Sequence, residues 1–308
     1  MWIFIILLLL VIGFISYITL LTVNSVTKPT VYSLQEKLEK HFAEGNLDPE
    51  KLKKLRKESF SYKSEYGYTL SGTIINKKEG TAFKDGRERV VFLVHGWTSN
   101  QNDMLKYYPV FYNMGFSIVL YDQRNHGDSE KNFTSMGYYE SKDLIGLISQ
   151  IKPKFGQNAL FGIMGESMGA ATVMMSAHRI PGLSFAIEDC GYSSLKEEIK
   201  NTIKNKHLPS FLFLPLINLI LKLKYNFSFN DVIPENSVKE TENIPMLFCH
   251  GEKDTFVPVR MVYEVYKAKK GSKRIKTYPG SIHAHSYVDH KAEYTEEVRA
   301  FFNENNLL

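Results

Sequence analysis

The sequence predicts an α/β fold: a mostly parallel sheet with helices on both faces, a helical cap insertion and an N-terminal transmembrane helix. Three observations predict it. From residue 60 onward, short β-branched runs alternate with helical patterns, as expected of βαβ units in a parallel sheet. A Gly-x-Ser-x-Gly pattern, Gly165-Glu166-Ser167-Met168-Gly169, falls where one such run gives way to a helix. From Met1 to Val23 there is no charged side chain.

The uncharged start comes first in the chain. About 20 apolar residues suffice to cross a bilayer as a helix. A cleaved signal peptide would show a basic start, a shorter apolar core and a small-residue cleavage site. Here no Lys or Arg precedes Lys28, so an uncleaved anchor over residues 1–27 is expected, with a signal peptide as the alternative. Basic residues follow the span, from Lys28 through Lys57. The positive-inside tendency therefore puts the remainder of this single-pass chain in the cytoplasm. Residues 28–59 read as a juxtamembrane helical tether, in which Asp48-Pro49-Glu50 is a helix start with an N-cap side chain and proline at the first turn.

The self-contained domain, 60–308, opens with a hairpin pattern, "FSYKSEYGYTLSGTII" (60–75). Strands are expected at "RVVFLVHG" (89–96), "FSIVLYD" (116–122), "ALFGIMG" (159–165), "SFAIEDC" (184–190), "PMLFCHG" (245–251) and "KRIKTY" (273–278). Between and after them, helices are expected before Gly115, over 138–151 and 168–180, and at about 258–269 and 287–303. The long gap, 195–243, reads as a cap. Its run "LPSFLFLPLINLILKLKYNFSF" (208–229) is strongly apolar but broken by Pro209 and Pro215. It is expected to line an acyl pocket with Phe211, Phe213, Leu216 and Leu219; dipping into the bilayer beside the anchor and forming a second span are the alternatives.

Composition narrows the partners. A net charge of +5 over 308 residues suits an anionic membrane surface but is no nucleic-acid signature, and no nucleic-acid motif is present. Cys190 and Cys249 lie in apolar strand-like runs outside any C-x-x-C pair, and read as buried free thiols.

The Gly-x-Ser-x-Gly pattern is short enough to occur by chance, so its setting carries the argument. Between a strand and a helix, Ser167 has the place of an exposed nucleophile, with the helix N-terminus aimed at the same site. A serine needs a base to take its proton. In this architecture the chain order is serine, acid, histidine. "HGEKDTFVP" offers Asp254, deeper in its loop than Glu252. "YPGSIHAHSYVD" offers His283 and His285; a capping-box pattern at Ser286 would leave His283 freer in the loop. The oxyanion of an acyl-transfer intermediate needs N–H donors, for which the backbone amides of Met168 and Trp97 are candidates. His95 reads as a residue that braces its loop.

Taken together, "LVHGWTSN", "YDQRNHGDS", "GESMGAATV", "DCGYSS", "HGEKDTFVP" and "HAHSY" resemble the α/β-hydrolase superfamily, and within it bacterial membrane-anchored serine-aminopeptidase-like and esterase-like hydrolases. The resemblance spans about residues 60–308. It implies that His283 is the base and that Asp122, Arg124 and His126 brace the site. The function expected is a membrane-tethered serine hydrolase that cleaves carboxylic esters through an acyl-enzyme, acting on a small-molecule acyl ester without metal or organic cofactor. Amide, peptide or thioester hydrolysis and acyl transfer are the alternatives within enzymes. A catalytically silent, anchored interaction module is the alternative of another class.

Overall fold

The computed structural model describes all 308 residues. Three helices lead the chain: α1 (Trp2–Thr27), α2 (Leu34–Ala43) and α3 (Pro49–Lys53). Then follow β1 (Lys57–Lys63), β2 (Thr69–Ile75), β3 (Arg89–Val94), α4 (Tyr108–Asn113), β4 (Ser117–Tyr121), α5 (Tyr138–Ile151), β5 (Leu160–Glu166), α6 (Met168–Ser176) and β6 (Phe185–Asp189). The cap region holds α7 (Leu195–Asn205), α8 (Ser210–Tyr225) and α9 (Pro234–Ser237). The chain closes with β7 (Met246–Gly251), α10 (Arg260–Ala268), β8 (Lys273–Tyr278), α11 (Ser286–Asp289) and α12 (Lys291–Glu304).

The strands form one eight-stranded sheet in the order β1-β2-β4-β3-β5-β6-β7-β8. Only β2 runs against the others; it pairs antiparallel with β1 and β4, and every other pairing is parallel. Every residue of β3 to β7 is buried, which explains their unbroken apolar runs: a parallel sheet is covered on both faces. The side chains of β3 divide accordingly. Val91 and Leu93 join a core with Phe111, Phe185 and Phe302, which are brought by α4, β6 and α12. Val90, Phe92 and Val94 join the opposite core with Leu144, Val173 and Val262, from α5, α6 and α10.

The segment 28–59 is more tightly held than a free tether would be. Leu47 and Leu52 are buried in the same core as β3. His41 Nε2 lies 3.0 Å from Asp103 Oδ1. Asn100 Nδ2 donates to the carbonyls of Tyr32 and Ser33 at 3.0 Å each, and the Tyr32 N–H donates to the Thr98 carbonyl at 3.0 Å. The expected start at Asp48 is present: its carboxylate accepts from the N–H groups of Glu50 and Lys51, with Pro49 next to it. That helix ends at Lys53, and the chain enters the sheet four residues later.

A third core lies over the C-terminal ends of the strands. There α8 buries Phe213, Leu214, Ile217 and Leu221 against α7 and against one side of α1. On α1 that side is Ile15, Ile18, Thr19, Thr22, Val23, Val26 and Thr27, at helical spacing of three and four. The rest of α1 is exposed and, apart from Ser16, Tyr17, Asn24 and Ser25, apolar, and the helix is long and apolar enough to cross a membrane.

Candidate active site

Ser167 sits at the turn between β5 and α6 with φ +56° and ψ −117°. A non-glycine residue held there costs on the order of 1–3 kcal/mol, so the surroundings must enforce the turn. The two flanking glycines allow it. A Cβ on Gly165 would lie 2.1 Å from the Gly169 carbonyl oxygen, and one on Gly169 would lie 2.0 Å from the Val94 carbonyl oxygen. The motif therefore spaces its glycines where α6 crosses closest over β3 and β5.

The loops after β7 and β8 deliver two further side chains to Ser167. His283 Nε2 is 2.9 Å from Ser167 Oγ, and His283 Nδ1 is 2.7 Å from Asp254 Oδ2. The other Asp254 oxygen, Oδ1, accepts from the N–H groups of Phe256 and Val257, both at 2.9 Å. Burial alone would raise the Asp254 carboxyl; hydrogen bonds from His250 and His283 outweigh it and hold the group down at about 2. Asp254 is therefore ionised at neutral pH and favours an N–H at His283 Nδ1, leaving Nε2 facing the hydroxyl. His285 instead lies 3.5 Å from Asp289, and the Glu252 side chain is bonded to Thr277, so neither alternative reaches Ser167.

The backbone N–H groups of Trp97 and Met168 form no hydrogen bond within the chain. Met168 opens α6, where N–H groups lack helical partners. A Cβ on Gly96 would come within 3.3 Å of Ser167 Cβ, so the loop after β3 passes directly beside the serine. His95 braces that loop: Nδ1 bonds the Gly96 carbonyl at 2.7 Å, and Nε2 accepts from the Gln123 N–H at 2.9 Å. Burial lowers this imidazole to about 3, so it is neutral and can accept at Nε2. Asp122 accepts from Gln101 and from the Asp128 N–H, and His126 Nε2 accepts from the Thr98 N–H at 3.2 Å. Arg124 lies over the rings of Tyr68, Phe133 and Tyr139. These residues hold the loops rather than reach the serine.

One expectation from the sequence differs in detail. Ser286 does not cap α11; its hydroxyl donates to Asp189 Oδ1 at 2.9 Å, because a buried carboxylate behind the serine turn competes for it. The Tyr107 hydroxyl oxygen lies 2.8 Å from Glu166 Oε2 and 3.0 Å from Asp189 Oδ2, with one proton between the two carboxyl groups, and Lys106 Nζ sits 2.6 Å from Glu166. This buried network anchors the residue preceding Ser167.

Three contributors were not legible in the sequence. His250, at the end of β7, has Nε2 3.3 Å from Asp254 Oδ2 and 2.9 Å from the Val257 carbonyl. Glu198, on α7, is buried with Oε2 unpartnered. The third is α1 itself. Ser167 opens into a pocket of ≈ 250 Å³ whose walls include Thr22, Ser25 and Val26 of α1, Trp97, Tyr192, and Glu198 and Ile199 of α7. Trp97 Nε1 donates to the Val26 carbonyl at 3.3 Å, and the Thr134 N–H donates to the Thr27 carbonyl at 2.7 Å. A larger cleft beside α3 is lined by Lys51, Lys54 and Tyr112 and does not include Ser167.

The expected lining by the apolar run of the cap needs correction. Among Phe211, Phe213, Leu216 and Leu219, only Phe213 is buried, and none lines the pocket at Ser167. The pocket wall comes from α7 and α1, because α8 spends its buried face on packing against those two helices.

Asp254 and His283 also bring their ligand atoms within 4.8 Å of Cys190 Sγ. Burial pushes the Cys190 thiol well up, and the other two groups are already bonded to each other, so the set fits a hydrogen-bonded relay better than a metal cradle. Both cysteines are free and buried.

Residues 85–189 match the family described as serine aminopeptidase, S33. A Bacillus subtilis protein of uncharacterised function, YqkD, is 31% identical over 260 residues, covering 83% of each chain. The lysophosphatidylserine lipase ABHD12 of Danio rerio is 25% identical over 203 residues, 60% of this chain; the match spans only 48% of that longer protein. Among solved structures, the Pyrococcus furiosus esterase Pf2001 superposes with a TM-score of 0.64 at 20% identity, covering 84% of this chain and 95% of the esterase. The chain belongs to the α/β-hydrolase superfamily. It is a hydrolase of the α/β family, and the proteins it resembles include ones named as an esterase and a lipase.

Proposed function

We propose that the protein is a membrane-tethered serine hydrolase that cleaves carboxylic esters through an acyl-enzyme. The observation that carries this reading is the unbroken Ser167–His283–Asp254 relay, with links of 2.9 and 2.7 Å, at the base of a pocket. Ser167 Oγ attacks the ester carbonyl carbon while His283 Nε2 takes its proton. The carbonyl oxygen gains negative charge and is met by the amides of Trp97 and Met168. As the tetrahedral species collapses, His283 returns the proton to the leaving alcohol. Water then attacks the acyl-serine with His283 again as base, releasing the acid and restoring Ser167. Asp254 keeps the imidazole oriented and stabilises its cation. Apart from the hydrolytic water, the groups used in each step are side chains and backbone amides of this chain.

Tethering is supported by the apolar α1, and the basic residues from Lys28 to Lys57 favour a cytoplasmic hydrolase domain. The reading divides the chain into an anchor (1–27), a juxtamembrane segment (28–59) that docks on the domain, and the hydrolase domain (60–308) with its cap (195–243). The pocket lies at or below the small end of ligand sites, about 300–1,000 Å³, which favours one short or medium acyl chain. The Danio rerio relative, named a lysophosphatidylserine lipase, supports a single-chain lipid ester over a peptide. The test is covalent labelling by a fluorophosphonate, followed by mass analysis, beside turnover of graded p-nitrophenyl esters and aminoacyl amides. Labelling at Ser167 with ester turnover supports the reading; amide turnover exceeding ester turnover would favour the peptidase alternative.

A further inference from the structure

The outward face of α8 has no covering in the chain. Leu212, Leu216, Leu219 and Leu223 recur at spacings of four, three and four, forming one exposed stripe, with Phe211 exposed beside its start. The opposite face packs on α1 and α7. Lys222 and Lys224 lie exposed at the C-terminal end of the helix, and Lys204 and Lys206 lie just before its start. An apolar stripe with lysines at both ends is the pattern of a helix lying in a membrane interface, with charged heads reaching to the lipid phosphates.

The position of α1 sets the depth. A hydrocarbon core of about 30 Å takes roughly 20 helical residues at about 1.5 Å each. Counted from Trp2, that span reaches roughly to Leu21. Yet the side of α1 that packs on the cap begins at Ile15. Residues 15–21 are therefore both inside the bilayer and against the cap, an overlap of about 10 Å along the helix. This matches the depth of about 5–10 Å at which interfacial helices sit. The pocket residues Thr22, Ser25 and Val26 follow directly, at the level of the headgroups.

We propose that α8 is seated in the bilayer interface through Phe211, Leu212, Leu216, Leu219 and Leu223, with the anchor alongside, so that the Ser167 pocket opens at headgroup level and takes its ester from the membrane. The occupant of the apolar face is the lipid acyl boundary, continuous with the lipid around α1. The proposal rests on the reading of α1 as an anchor and, for the ester it admits, on the hydrolase reading.

The test uses the full chain reconstituted in phosphatidylcholine–phosphatidylglycerol vesicles. Leu219→Cys is labelled with an environment-sensitive fluorophore, the native cysteines being buried. The expected result is strong quenching by lipids brominated high on the acyl chain. The control is the same label at Lys84→Cys, in the exposed loop before β3 at the other end of the sheet, which should not be quenched. Quenching at position 219 no greater than at position 84 overturns the proposal. This readout needs no turnover, so it is independent of whether the protein hydrolyses esters. In parallel, Leu216→Glu with Leu219→Glu should slow hydrolysis of a vesicle-borne ester about tenfold or more, because two leucines leave the acyl boundary. Turnover of soluble p-nitrophenyl acetate should persist. An equal fall on both substrates contradicts the proposal.

Discussion

Trp97 Nε1 donates to the carbonyl of Val26 at 3.3 Å, tying the loop beside Ser167 to the last turn of the apolar N-terminal helix. A helix that would serve only as an anchor has no need of that bond. Here it also supplies Thr22, Ser25 and Val26 to the pocket wall. A self-contained domain starting near residue 60 would keep its full activity after removal of 1–27. The structure argues otherwise. Deleting residues 1–27 is expected to lower kcat/KM for soluble esters by roughly 10- to 100-fold, since a displaced wall misplaces the substrate. Slow fluorophosphonate labelling of the truncated protein should persist. Steady-state kinetics of the truncated and full-length chains, both in detergent, measure this; equal kcat/KM would show that α1 is only an anchor.

The glycines of the serine turn are expected to be irreplaceable for steric reasons. Gly169→Ala puts a Cβ within 2.0 Å of the Val94 carbonyl oxygen, where neither backbone can yield. Overpacking of this kind costs about 1–3 kcal/mol, or several degrees of melting temperature for a domain of this size. Gly13→Ala, on the exposed side of α1, whose Cβ would meet nothing within 4 Å and whose backbone is ordinary helix, controls for loss of a glycine elsewhere. Thermal unfolding of both variants decides the point, with Gly169→Ala expected to be clearly the less stable.

The histidines should separate into three ranks. His283→Ala removes the group that faces Ser167 and should cost on the order of 10⁴-fold or more in kcat. His250 touches Asp254 but not the serine, so His250→Phe should cost about tenfold through a less well held acid. His285, paired with Asp289 near the surface, should tolerate alanine. A His285 variant as impaired as His283 would displace the proposed base.

Glu198 gives a pH signature. Burial raises its carboxyl from an ordinary 4.5 to about 8, with Asp254 adding to the shift and Thr202 and Arg260 opposing it. The folded chain therefore keeps the proton between about 4.5 and 8 while the unfolded chain has lost it. By linkage, this group makes the fold less stable as pH rises through that window. Glu198→Gln removes the titration. Its melting temperature relative to the parent should rise from pH 5 to pH 8.5. A constant difference across that range would mean that Glu198 is ionised in the folded state at neutral pH.

Much of this was readable beforehand, for identifiable reasons. Strands buried on both faces write themselves as apolar runs, so β3 through β7 stood out, and their alternation with helices implied the parallel sheet. Ser167 and Asp254 follow two such strands, β5 and β7, and His283 follows the half-exposed edge strand β8; all three lie in the loops where a parallel sheet collects reactive groups, and the structure brings their side chains together. The cap was harder. An apolar stretch such as 208–229 looks the same whether it lines a pocket, packs on a neighbour or faces lipid, and α8 packs on one face while exposing the other. Glu198 hides among the acidic residues that favour any helix N-terminus. His250 has no local signal because its partner arrives from the loop beyond it. The contribution of α1 to the pocket depends on where a hydrophobic helix ends in space, which hydropathy does not encode.

Ser167 is tested as the nucleophile most directly by the intact mass of the full-length protein after fluorophosphonate treatment, wild type beside Ser167→Ala. One adduct is expected on the wild type, mapped by peptide analysis to Ser167, with ester turnover lost in proportion. No adduct and no turnover are expected for Ser167→Ala, in a protein that melts like the parent. A folded Ser167→Ala variant that still labels and still hydrolyses esters at the wild-type rate would place the nucleophile elsewhere.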